Sequence, residues 1–382
     1  MTLLAGSRPA ARGSLRRLDL LLLLAVASLI ALGALLVWSA TRQRLLAAGA
    51  DPGAYLQRHL VNAGIGTALG AAAALVHPRT LRAYAPIVYV GACVGLVTVL
   101  TPLGSTINGA HSWIVVGGGF QVQPSELAKV ALVVGLAMAL SERRDGTPAP
   151  ENRDVGLALV LAAVPAALVL LQPDLGTVLV LVVLTLGVIA LSGAPLRWVG
   201  ALLLAGVVVA GGAVQLGVLD QYQVDRFAAF ADPSLDPRGV GHNANQARIA
   251  VGSGGLTGTG LFEGSQTSGR FVPEQQTDFV FTVAGEELGF LGGSLVIGLL
   301  GVVLCRGLRI AASAADPFGR LVAGGVVAWF AFQSFVNIGM TLGIMPVTGL
   351  PLPFVSYGGS SMFACLVAVG LLQGVHLRSQ ER

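Results

Sequence analysis

Ten apolar runs, broken by charge or proline, limit what this chain can fold into more than any other feature of it. A bilayer core roughly 30 Å thick is crossed by about 20 helical residues at 1.5 Å rise each, so a run of that length reads as a transmembrane helix. The runs extend from Leu18 to Ala40, Leu60 to Val76, Tyr84 to Leu100, Pro124 to Leu140, Val155 to Leu171, Leu175 to Leu191, Trp198 to Leu216, Asp278 to Leu304, Leu321 to Leu342 and Phe354 to Val375. Of 382 residues only 11% are charged, against roughly a quarter in a soluble domain. Such a chain cannot cover itself with polar surface, which excludes a soluble protein. The first run exceeds the apolar stretch of a cleaved signal peptide and reads as a retained span. Cys93, Cys305 and Cys365 each lie in an apolar run, without the spacing of a disulfide framework or zinc site, and read as packing residues.

The expected fold is an all-α integral membrane protein, a polytopic bundle of about ten transmembrane helices. Arginine placement orients it, because positively charged loops stay in the cytoplasm. With the N-terminus inside, fifteen arginines fall on inner segments and seven on outer ones, four of the seven in a single long loop. Both termini are therefore expected in the cytoplasm, as tails 1–17 and 377–382 around a transmembrane domain 18–376. The long outer loop, 218–277, lies between spans seven and eight, and loops of that length are usually functional or disordered. Its stretch GSGGLTGTG, Gly252 to Gly260, matches neither GxGxxG nor GxxxxGK[ST], follows no strand, and reads as a flexible turn-rich loop. The net charge of +4 is an outcome of membrane topology and gives no argument for nucleic acid. The 52 glycines fit close helix packing in lipid.

Several charges stand where a bilayer should exclude them. Lys129, the single lysine, falls in the fourth run, and an unpaired cation there costs at least a few kcal/mol. Glu126 is three residues earlier, on the same helical face, in a first turn that starts at Pro124. The pair reads either as a self-neutralising structural device or as the lining of a polar cavity. Asp278 stands where the long loop meets span eight, as a helix cap or a functional carboxylate. At about 100° per residue Glu286 lies about 80° around the helix from Asp278 and about 12 Å along it, so the two can face one cavity. Glu287 is on the other face, and two adjacent carboxylates inside a span must be protonated, paired or wetted. Thr101 to Gln123 carries no Lys, Arg, Asp or Glu but holds His111 and Trp113, the latter an interfacial-belt residue or a platform for a sugar. The stretch PVTGLPLPFVSYGGSS cannot be continuous helix, and broken backbone at membrane depth is tolerated only where protein buries it or water reaches it. With Asp174 beside Pro173, these features point to one outward-opening polar cavity.

The segments QPSELAK (Gln123 to Lys129), PEQQTDFVFTVAGEELGF (Pro273 to Phe290) and NIGMTLGIMPVTGLPLPFVSYGGSS (Asn337 to Ser361) resemble the signatures of the SEDS family, the shape, elongation, division and sporulation proteins. The resemblance covers nearly the whole chain, and NIGMTLGIMPVTG is more similar to the elongation (RodA) type than to the division (FtsW) type. It implies a bacterial cytoplasmic-membrane peptidoglycan glycosyltransferase that polymerises lipid II on the outer face and releases undecaprenyl diphosphate. It also implies a class B penicillin-binding protein and other elongation-complex membrane proteins as partners. By the family pattern Asp278 is the catalytic residue, Glu126 and Lys129 are the charged pair of QPSELAK, and Arg58 is the arginine after the first outer loop. The chain departs from the family in Gln276 (where many members have His), Thr259 (Lys) and His59 (Gln), which argues against an imidazole beside Asp278.

Glycosyl transfer between lipid-linked sugars needs a base for the attacking hydroxyl and positive charge for the departing diphosphate. Asp278 meets the first need. Lys129, Arg58, an arginine of the long loop or a divalent cation, Mg or Mn, meets the second. The rival reading, a lipid-linked precursor flippase, draws on the buried charges Glu126, Lys129, Asp174 and Glu286. Topology is open to test in a cysteine-free background: an impermeant thiol reagent on intact cells should label Ser234→Cys and spare Thr147→Cys. The reverse pattern would invert the orientation.

Overall fold

The computed structural model describes residues 17–107, 110–117, 120–142, 149–215, 230 and 240–380. Residues 1–16 and 381–382 of the expected tails 1–17 and 377–382, residues 143–148 of the expected inner loop, and most of 216–239 lie outside the described residues. Among the described residues there are thirteen helices: α1 Leu20–Ala47, α2 Ala54–Leu75, α3 Pro78–Val99, α4 Pro124–Ser141, α5 Asn152–Leu170, α6 Leu175–Leu191, α7 Leu196–Gln215, α8 Val240–Ser253, α9 Ser265–Gly269, α10 Val280–Glu287, α11 Gly289–Ser313, α12 Pro317–Leu342 and α13 Gly359–Ser379. Each apolar run carries helix, and seven of the helices (α1, α3, α4, α5, α11, α12 and α13) are long and apolar enough to cross a membrane. The chain is a multi-pass membrane protein.

Local sequence starts and stops these helices. Asp19 caps α1 by accepting from Leu22 N–H at 3.0 Å, and Pro78, Pro124 and Pro317 occupy first turns where no amide donor is needed. Helix α12 ends at Gly343, whose φ of 75° closes the left-handed cap. Helices α4, α12 and α13 form the enclosed centre, with 89%, 72% and 78% of their most apolar windows buried, while α3 and α5 expose most of theirs.

Small residues set the closest packing. Helices α2 and α13 run parallel, with Gly66 against Met362 and Leu366, Gly70 against the Leu366 carbonyl and Gly370, and Ala74 against Gly374. This four-residue spacing of small side chains lets backbones touch in a lipid environment, where packing replaces the hydrophobic drive. At the far end Arg378 closes the pair, donating to the carbonyls of Ala74 at 3.1 Å, Leu75 at 3.2 Å and Val76 at 2.7 Å, which the end of α2 leaves free. Nearby, the buried Asp19 takes both Nε of Arg306, at 2.8 Å, and its Nη2, at 2.6 Å.

Two expectations need correction. Span eight is two helices: α10 ends at Leu288 and α11 starts at Gly289, whose φ is 66°. The glycine stretch Gly252–Gly260, expected to be flexible, is packed against that break. Thr259 N–H donates to Glu286 C=O at 3.0 Å, Gly260 N–H to Glu287 C=O at 3.1 Å, and Phe290 N–H to Gly255 C=O at 2.9 Å. The freed amides and carbonyls of a broken helix need partners, and a glycine-rich loop can approach closely enough to supply them. In addition, Thr101–Gln123 holds a three-stranded antiparallel sheet, β1 Gly104–Ile107, β2 Ala110–Gly117 and β3 Phe120–Val122, with Ser105 opposite Trp113 and Ile114 opposite Val122.

Gly370→Leu should therefore lower the melting temperature sharply, because its Cβ would stand 2.0 Å from the Gly70 carbonyl; overpacking of this kind costs about 1–3 kcal/mol or more. Gly91→Ala, which meets nothing within 4 Å, should melt as the parent does.

Candidate functional site

Helix α12 carries three buried polar side chains four residues apart, Trp329, Gln333 and Asn337, each 0% exposed. On a helix that spacing places them on one face. Gln333 Oε1 accepts from Trp329 Nε1 at 2.6 Å and from Lys129 Nζ at 2.9 Å, and its Nε2 donates to Pro351 C=O at 2.7 Å. One turn on, Asn337 Nδ2 donates to Leu350 C=O at 2.6 Å and to Asp278 C=O at 2.7 Å. The row thus ties together α4, the irregular 343–358 segment and the loop that bears Asp278.

Lys129 and Glu126 meet at 2.7 Å with their side chains 0% and 2% exposed. The ammonium also lies 5.0 Å from the Trp329 ring centroid, where the π face attracts it. Glu126 Oε2 has no hydrogen-bond partner, so the pair is neutralised but not saturated. The sequence places these two residues together; Gln333, Asn337 and Trp329 it leaves unmarked, although polar residues at four-residue spacing in an apolar helix are a legible signal.

Asp278 is half-buried in the turn ahead of α10, and its Oδ2 stands 3.5 Å from where a Cβ on Gly349 would project. The helix cap is Phe279, which has no side-chain capping bond, so Asp278 is not the cap of α10. The 352–357 turn holds this loop from the other side: Ser356 Oγ donates to Thr277 C=O and accepts from Leu352 N–H at 2.8 Å, and Tyr357 N–H donates to Gln276 C=O at 2.8 Å. Phe354 in that turn has φ 67° while 2% exposed, an uncommon backbone for a bulky residue. Its ring packs edge-on to Phe330 at 5.2 Å, which holds it there.

The sequence of the FtsW/RodA/SpoVE cell cycle proteins matches residues 19–381 of this chain. It is 38% identical over 361 residues to the peptidoglycan glycosyltransferase MrdB of Escherichia coli K12, spanning 94% of this chain and 93% of that one. The chain belongs to the SEDS family. Among solved structures, a chain of a peptidoglycan synthase complex that coordinates polymerization and crosslinking superposes with a TM-score of 0.80 at 34% identity, covering 96% of this chain and 99% of that one. The Thermus thermophilus rod shape determining protein RodA superposes at 0.68 with 33% identity over 94% and 96%.

The remaining candidate residues separate into two groups. Arg58 is exposed in the first turns of α2, near the side chain of Tyr357, and Tyr357 packs on Tyr55 with centroids 4.9 Å apart. Trp113 is half-buried on β2, in the sheet whose Gln123 end is bonded to Ser360 of α13 at 2.8 Å. Asp174 and Glu286 accept several hydrogen bonds, and Asp174 Oδ2 also accepts from Gln123 Nε2 at 3.4 Å. Asp174 caps α6, accepting from Thr177 N–H at 3.0 Å and Thr177 Oγ1 at 2.7 Å. Glu286 accepts from Gln266 N–H at 2.7 Å, Thr267 N–H at 2.9 Å and Thr267 Oγ1 at 2.7 Å, which fastens α9 to α10. Glu287, which the sequence placed on the other face, accepts from Ser39 at 2.6 Å. Among the described residues no cluster of three or more His, Cys, Asp or Glu is positioned to hold a metal ion.

The Glu126–Lys129 coupling predicts a thermodynamic cycle. Lys129→Met alone should destabilise the detergent-solubilised protein by about 3–5 kcal/mol, since it strands a buried carboxylate. Adding Glu126→Gln should restore most of that loss in thermal unfolding; equal melting of all three proteins would show the charges uncoupled.

Proposed function

We propose that this protein is a peptidoglycan glycosyltransferase of the elongation type, polymerising lipid II into glycan strands at the outer face of the cytoplasmic membrane. The observation that carries the reading is Asp278: a half-buried carboxylate at the mouth of a helix, its backbone held by Asn337, its loop held by Ser356 and Tyr357. A base must be placed to within a fraction of an ångström to act, and these bonds restrict where Asp278 can go. The likeness to MrdB and RodA supports the polymerase activity, and the NIGMTLGIMPVTG segment supports the elongation type.

Asp278 accepts the proton of the attacking sugar hydroxyl as the new glycosidic bond forms, and undecaprenyl diphosphate departs. Glu126 and Lys129 act as a positioning pair: through Gln333 and α12 they fix the loop that faces Asp278. Arg58 and Trp113 line the same end of the bundle, for charge and sugar contact respectively. The buried charges that suit a flippase are committed here, Lys129 to Glu126 and Gln333, Glu286 to backbone amides. A class B penicillin-binding protein supplies the crosslinking partner.

Asp278→Asn keeps side-chain shape and loses the base. Strand formation from lipid II by the purified protein with its transpeptidase-blocked partner should fall about 10²- to 10⁴-fold, with co-purification of the partner intact. Near-normal strand synthesis by that variant would sink the catalytic assignment.

A further inference from the structure

The turn that carries Asp278 is held from two directions. Its carbonyls point outward: those of Gln276, Thr277 and Asp278 accept from Tyr357 N–H, Ser356 Oγ and Asn337 Nδ2. Its amides point inward, all to one atom. Thr277, Asp278 and Phe279 N–H donate to Glu274 C=O at 3.1, 3.1 and 3.3 Å, and Thr277 Oγ1 donates to the same oxygen at 3.2 Å. A carbonyl oxygen has two lone pairs, so four donors around one oxygen make a tightly wound turn with Glu274 at its centre.

Glutamate is an unexpected residue for that place. Its φ is 51°, in the left-handed region that glycine enters without steric cost and other residues rarely adopt. Glycine would serve the backbone here, so the side chain must account for a glutamate. What the side chain does is close the turn. Glu274 Oε2 accepts from Gln276 Nε2 at 3.1 Å and from Thr277 Oγ1 at 3.3 Å, and these are the two residues directly before Asp278. Both donors are neutral, and among the described residues no cation is paired with this half-buried carboxylate.

We propose that Glu274 is a positioning residue for the reaction, fixing Asp278 through a carboxylate clamp on Gln276 and Thr277. The assignment rests on the glycosyltransferase reading and adds to it the part that aims the base. With the amides gathered on the Glu274 carbonyl and the carbonyls given to Asn337, Ser356 and Tyr357, the backbone groups around Asp278 are committed on both sides. The direction of its side chain follows from them. In the transfer the acceptor hydroxyl oxygen bonds to the anomeric carbon, its proton passes to Asp278, and the electron pair of the broken bond leaves with the diphosphate. Glu274 neither gives nor takes a proton. Its effect is on placement, where a shift of about 1 Å costs about 10²-fold in rate. The clamp also gives Gln276 a task that an amide donor fulfils without an imidazole.

The test is steady-state strand synthesis from lipid II by the purified full-length protein with its transpeptidase-blocked partner, together with thermal unfolding. Glu274→Gly suits the left-handed backbone and removes the clamp. It should melt at the parent's temperature or above, while kcat falls about 10²-fold and KM stays within about twofold. Glu274→Gln, whose amide oxygen can take the same two bonds, should recover about tenfold of that loss. A residue that acts through Asp278 has little left to lose once the base is gone. Adding Glu274→Gly to Asp278→Asn should therefore lower the residual rate by no more than about twofold. A normal kcat in Glu274→Gly, or the full further loss in the Asp278→Asn background, would overturn the positioning role. A readout without turnover separates this from the glycosyltransferase reading: in a cysteine-free background, Asp278→Cys should react faster with a thiol reagent once Glu274→Gly is added. Faster reaction in a protein whose parent makes no strands would uphold the clamp and refute the polymerase reading. Unchanged reaction with a normal kcat, in a parent that makes strands, would overturn the clamp alone.

Discussion

Unpaired backbone is not tolerated in hydrocarbon, and the 343–358 segment is a long piece of non-helical backbone between two deeply enclosed helices. The rest of the structure depends on how its carbonyls are satisfied. Gln333 and Asn337 of α12 take those of Pro351 and Leu350, and the same two side chains hold Lys129 and the Asp278 loop. One row of amides therefore solves a folding problem and sets a site. Such a network stabilises only when its members are paired, which is why the lysine needs Glu126 three residues away.

Glycines perform the complementary task of bringing backbones together. Gly66, Gly70, Gly370 and Gly374 let α2 lie directly on α13, and the same contact carries Asn62 to the start of α13 and Arg378 to the end of α2. The Gly254–Gly260 stretch does the equivalent at the break between α10 and α11, where a loop turned by Gly258 and Gly260, at φ 85° and 107°, presents the amides of Thr259 and Gly260 to the carbonyls of Glu286 and Glu287. With Glu286 fastening α9 and Glu287 holding Ser39 of α1, the described part of the long loop, 240–277, is built into the bundle.

Carboxylates show how far residue type alone can be read. Asp174 and Asp278 stand at apolar-run boundaries and Glu286 inside a run, and residue type alone does not tell their roles apart. The fold gives Asp174 to a helix cap and Glu286 to the α9 amides, and it leaves Asp278 at a half-buried turn beside Gly349. Periodicity put Glu286 within reach of Asp278 because it assumed one straight helix and could not register that the loop would approach from outside. The small sheet at Thr101–Gln123 was equally hidden, since its strands are too short and glycine-rich for a clear alternating pattern.

The sequence by itself determined that the chain lives in a bilayer, where its helices lie, and that Glu126 must neutralise Lys129, because hydrophobic run length, proline position and a three-residue spacing are local properties with local energetic consequences. The SEDS signatures likewise stand in the sequence as contiguous segments. Only the tertiary structure decided that Gln333 and Asn337 join the pair to Asp278, that span eight breaks at Gly289, and that Asn62 meets an uncapped helix 297 residues further along the chain. Those relations are between distant segments, and which buried polar groups find partners is fixed by how the helices pack rather than by what any one of them contains.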